Sequence, residues 1–96
     1  MDITTLLCRS LNKEQITEAL TAHIKRYSGW EVSRVVFEGS EMTIYNHQME
    51  DRHDGRVKVE RMLLSVDLAT GRELYGRMRH HDLGPVDLTI IHNVVR

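Results

Sequence analysis

The 96-residue chain sets 13 Lys and Arg against 14 Asp and Glu, a formal net charge of -1, and is 41% hydrophobic and 28% charged. That balance excludes a disordered chain, and it excludes an overall field that would draw the protein to nucleic acid or to an anionic membrane. A chain of this length has room for one core, burying on the order of 60 to 65% of its unfolded surface, so the expectation is a single domain over residues 1–96.

The one cysteine, Cys8, has no partner for an internal disulfide. It lies among apolar neighbours and reads as a small buried hydrophobe of a reducing compartment. Asp2 stands where a signal peptide would carry basic residues, and the apolar runs are far shorter than the roughly 20 residues a membrane span needs. A cytoplasmic protein without membrane contact is expected.

Ile3, Leu6, Leu7 and Leu11 keep helical spacing behind Asp2, which allows a short first helix. Asn12 then breaks the stripe and opens the main helix. It is a favoured N-cap, Gln15 three residues on completes a capping box, and Leu11 and Ile16 are placed for a hydrophobic staple. Ile16, Ala19, Leu20, His23, Ile24 and Tyr27 recur at spacings of three and four and line one face. Gly29 supplies the left-handed stop, with Trp30 beside it for the closing apolar contact.

After Gly29 the period changes to that of strands. Trp30 to Glu38 and Glu41 to Met49 flank Gly39-Ser40 and predict a hairpin, and the polar stretch Glu50 to Gly55 predicts a second turn. Arg56 to Asp67 is a long strand whose alternation slips: Val57 and Val59 fall on one face, Met62, Leu64 and Val66 on the other. A β-bulge near Glu60-Arg61 is expected from that slip. Asp67 to Gly71 predicts a turn, Arg72 to His81 a strand ended by Leu83-Gly84-Pro85. Val86 to Val95, rich in β-branched residues, predicts a last strand, with a helix begun at Pro85 and Asp87 as the alternative.

The fold class implied is α+β. An N-terminal helix, with the option of a short helix before it, packs on one face of a four- or five-stranded antiparallel meander sheet. A sheet with one helical cover has a second face, and this one is not polar throughout. It is expected to carry Tyr45, His47 and Met49, then Val57, Val59, Arg61 and Leu63, then Tyr75, Arg77 and Arg79. Apolar, Tyr and Arg side chains are what protein interfaces enrich, so Tyr45, Arg61, Tyr75, Arg77 and Arg79 are the expected partner-binding residues.

No phosphate loop, dinucleotide fingerprint, nucleophile elbow or zinc-protease pair occurs, so no catalytic residue, metal ligand or cofactor is assigned. The sequence reading is a small non-enzymatic binding protein: an inhibitor, adaptor or accessory subunit, of the size common in phages and mobile elements, docking another protein or its own copy as a homodimer. Two other classes stay open. The Tyr and Arg set could stack single-stranded nucleic acid. The six histidines, with His47, His53, His80 and His81 close to acidic residues, could serve a metal-dependent enzyme, although adjacent strand residues such as His80 and His81 point to opposite faces.

Overall fold

The structure, a computed structural model, describes residues 12–84 and 86–95. The expected first helix, Cys8 and the Leu11 half of the staple lie outside them. The element order is helix α1 (Lys13–Ser28), strands β1 (Arg34–Glu38), β2 (Glu41–Arg52), β3 (Gly55–Asp67) and β4 (Glu73–Gly76), a 3-10 turn (His80–Leu83) and helix α2 (Leu88–Val95). The strands form an antiparallel sheet in the order β1-β2-β3-β4. This is the expected α+β meander, with four strands.

α1 begins where its side chains dictate. Asn12 Oδ1 accepts from the Gln15 backbone N–H at 2.9 Å, filling one of the donors a helix start leaves empty. It ends at Gly29, whose φ of 81° is costly for a residue with a Cβ and whose N–H donates to the Ile24 and Lys25 carbonyls. Ile16, Leu20 and Ile24 are fully buried against Met42, Ile44, Leu64 and Val66, and Trp30 packs at the margin of the same core. The last turn of the stripe stays at the rim. Tyr27 is 57% exposed and stacks on His23, whose Nε2 donates to the Leu83 carbonyl at 2.6 Å.

β3 bulges later than its alternation suggested. Ile44 pairs with Leu64 and Tyr45 with Met62, so Leu63 is the extra residue, and Leu63 and Leu64 are both fully buried. The displacement reverses the expected sides. Directly paired residues share a face, so Val57, Val59 and Arg61, opposite Glu50, Gln48 and Asn46, lie on the helix side with Ile44 and Leu64, while Met62 lies on the open side.

β4 is shorter than the clean alternation of 72–81 implied. At Gly76 the chain turns so tightly that a Cβ would stand 2.4 Å from the Met78 carbonyl oxygen. The Arg77 and Met78 N–H groups both donate to the Leu63 carbonyl, and Met78 enters the core. The preceding turn forms as expected, with Asp67 Oδ1 accepting from the Ala69 N–H at 2.9 Å and the Gly71 N–H reaching the Asp67 carbonyl at 2.7 Å.

The C-terminal segment is a helix, which corrects the strand expected over Val86 to Val95. Asp87 Oδ1 accepts from the Thr89 and Ile90 N–H groups, and Leu88, Ile91 and Val95 are buried at spacings of three and four. A cap and a matching stripe outweigh the weak strand preference of β-branched residues, which reflects packing on a pleated surface more than the backbone itself.

Candidate functional site

β1 pairs β2 as far as Tyr45, and β4 pairs β3 from Leu64 onward. Beyond those points, among the described residues, the β2–β3 hairpin stands without flanking strands, an arm of residues 46–61 closed by the two-residue turn His53-Asp54. An isolated two-stranded ribbon is marginal in water, so this one draws its order from the sheet at its base and from ion pairs along its length.

On the helix side of the arm, Arg61 Nε donates to Glu50 Oε1 at 2.7 Å and Arg52 Nη2 to Glu50 Oε2 at 3.3 Å. On the open side, Glu60 gathers three elements: Ser33 Oγ donates to its Oε2 at 3.0 Å, Arg34 Nη2 to its Oε1 at 2.7 Å, and His47 Nε2 lies 4.0 Å away. The Arg34 guanidinium also sits 4.5 Å from the centre of the Tyr45 ring, a cation over an aromatic face.

The Arg61 hydrogen bond, helped by Arg52, holds the Glu50 carboxyl below the usual glutamate range. The Ser33 hydroxyl does the same for Glu60, helped by Arg34 and His47. A carboxyl whose folded value is lowered contributes stability that is present above its unfolded value and lost as pH falls through the folded one. In a carbon-detected titration, Glu50 and Glu60 should protonate below the ordinary glutamate range, and Arg61→Ala should move the Glu50 midpoint up and leave Glu60 in place. An unmoved Glu50 midpoint would show that the pair does not form in solution.

The five residues expected to bind a partner do not share a face. Tyr45 and Tyr75 are on the open side: Tyr45 pairs with Met62, and Tyr75 pairs with Ser65, whose hydroxyl meets that of Thr43 at 3.2 Å. Arg61 is on the helix side, bonded to Glu50. Arg77 crosses the edge of β3, where its Nε donates to the Met62 carbonyl at 3.0 Å and its Nη2 to the buried Asn46 Oδ1 at 2.7 Å. Arg79 lies outside the sheet with Nη1 3.7 Å from Glu73 Oε2.

Of the apolar residues expected beside them, Leu63 is fully buried, Val57 and Val59 are half-buried on the helix side, and Met49 is 53% exposed on the open side. Ser33, Arg34, Lys58 and Glu60 were not singled out in the sequence. Ser33 and Glu60 are 27 positions apart, and the strand register alone brings them together.

The open-side cluster holds a hydroxyl, an imidazole and a carboxylate, but not in a nucleophile's order. Ser33 donates to Glu60 directly instead of to His47, and Glu60, its carboxyl held below the usual glutamate range, is a weak base for that proton. Among the described residues no three His, Cys, Asp or Glu side chains converge as a metal site would require, and no helix is long and apolar enough to cross a membrane. Comparison with protein-family models, with curated proteins and with solved structures finds no match to the chain.

Proposed function

We propose that the protein is a non-enzymatic binding protein, an inhibitor, adaptor or accessory subunit of a reducing cytoplasmic compartment, which docks another protein on the open side of its sheet. The supporting observation is the exposure there of Tyr75 at 48% and Met49 at 53%, with no cover among the described residues. Tyr45, half-buried under the Arg34 guanidinium, lies on the same side beside Met62, with the His47 and Glu60 pair between it and Met49. Rigid aromatic residues flanked by Arg are the anchors that carry most of the energy of protein interfaces. Arg79, outside the sheet, pairs with Glu73, and Arg61 and Arg77 act through Glu50 and Asn46 and position the arm. Stacking of single-stranded nucleic acid is the weaker reading, because the arm's four cations, Arg52, Arg56, Lys58 and Arg61, stand among the four acids Glu50, Asp51, Asp54 and Glu60.

The test is affinity capture from the native host with the wild-type chain and with Met49→Asp/Tyr75→Ala. Loss of an interface anchor costs about 2 kcal/mol, roughly a thirtyfold weakening, while exposed substitutions stay within about 0.5 kcal/mol of wild-type stability. A captured protein that the variant releases supports the reading. Equal capture by both chains, or retention on a single-stranded polynucleotide column that falls steeply with salt, overturns it.

A further inference from the structure

We infer that the free edge of β3 is the docking strand for a second copy of this chain, and that the two copies pair antiparallel about a two-fold axis at Val59. The inference deepens the binding reading and shares its protruding arm, but it uses the strand edge and not the open face.

The outward-facing groups of the edge follow from one hydrogen bond. Arg77 Nε reaches the Met62 carbonyl from the side away from β2, so Met62 turns its backbone outward. Alternation along an antiparallel strand then turns Glu60, Lys58 and Arg56 outward too, while Arg61, Val59 and Val57 bond β2. From Arg56 to Glu60 no described strand takes those groups.

A two-fold between identical edges must be centred on a residue, since a centre between residues would set an outward-facing residue against an inward-facing one. Centring on Lys58 opposes two lysines, on Glu60 two glutamates, and on Val57 sets Arg56 against Lys58. Centring on Val59 alone among these sets Lys58 against the second copy's Glu60, twice by symmetry, with Val59 meeting Val59 on the other face. Residues 58 and 60 are then also the ones that exchange backbone hydrogen bonds across the axis, so ladder and charge agree on one register.

The side chains are available for this. Lys58 makes no ion pair among the described residues. Glu60 holds Ser33 and Arg34 on different oxygens, and each oxygen can accept a further bond. The arm of each copy would gain the third strand that an isolated hairpin lacks.

The experiment is sedimentation of the wild-type chain, of Lys58→Glu, of Glu60→Lys, and of the two variants mixed in equal amounts. Wild type should sediment as a dimer. Each variant alone sets like charges opposite each other at both crossings and should self-associate roughly tenfold more weakly or less, whereas the mixture restores both attractions and should recover the dimer. Because Glu60→Lys also removes the Ser33 and Arg34 contacts, Lys58→Pro is the companion variant. It deletes an outward N–H without taking a bond from β2, so it should give a monomer that keeps the wild-type circular-dichroism spectrum and still melts cooperatively. A wild-type monomer at all concentrations, or a dimer that survives both Lys58 substitutions, overturns the inference. The failures are separable, since Met49→Asp/Tyr75→Ala leaves the β3 edge intact and should keep the dimer mass.

Discussion

Truncating Leu63 to Ala should lower the unfolding free energy by about 2 to 5 kcal/mol, the cost of removing a large aliphatic side chain from a packed interior. Strand alternation alone puts Leu63 on an uncovered face, where the same change would be worth less than about 0.5 kcal/mol. The bulge makes the difference: Leu63 is the residue with no partner in the ladder, and it is fully buried beside Leu64. Urea denaturation monitored through Trp30 measures it, with Val59→Ala as the reference. Val59 is half-buried in the arm, beyond the core cluster that holds Leu63, and should cost distinctly less. A loss for Leu63→Ala no greater than for Val59→Ala would mean that the bulge is misplaced.

Arg77→Ala should destabilise the protein by about 1 to 3 kcal/mol, the cost of leaving a buried polar group without its partner. The group is Asn46, 5% exposed, whose Oδ1 accepts from Arg77 Nη2. The penalty belongs to the stranded amide, so Asn46→Leu combined with Arg77→Met should recover most of it, because removing both partners leaves no orphan. A double-mutant cycle by chemical denaturation gives the coupling directly, and additive effects would show that the two side chains do not depend on each other. Arg77 thereby changes character: the residue that composition marked as a contact for a partner is a brace between β4's end and the start of the arm.

Much of the architecture is legible locally. Asn12 and Gly29 delimit α1, the stripe at spacings of three and four between them predicts its buried face, and Gly39-Ser40 and Asp67 to Gly71 mark turns that form where expected. Each of these depends on groups within a few residues of one another, and such signals survive in any fold. The C-terminal segment was ambiguous for the same reason: Val and Ile in quantity say that a surface will be covered, while the cap at Asp87 and the burial of Leu88, Ile91 and Val95 settle its period.

The candidate site was legible only in part. Tyr45 and Tyr75 could be placed together because each strand alternates regularly on its own side of the bulge, but Arg61 changes face at Leu63, and the Ser33-Arg34-Glu60 cluster depends on a register that spans three strands.

By itself the sequence determined an α+β chain with one long capped helix, a meander of strands, near-neutral charge and no assembled catalytic motif, because caps, turns and periodicity act over a few residues. Tertiary structure decided that β4 stops at Gly76, that Leu88–Val95 turns into a helix, and that the middle hairpin outruns its neighbours. A one-residue bulge inverts every side chain beyond it, and where that residue falls is fixed by which leucine the core can bury, a question that only the packed molecule answers.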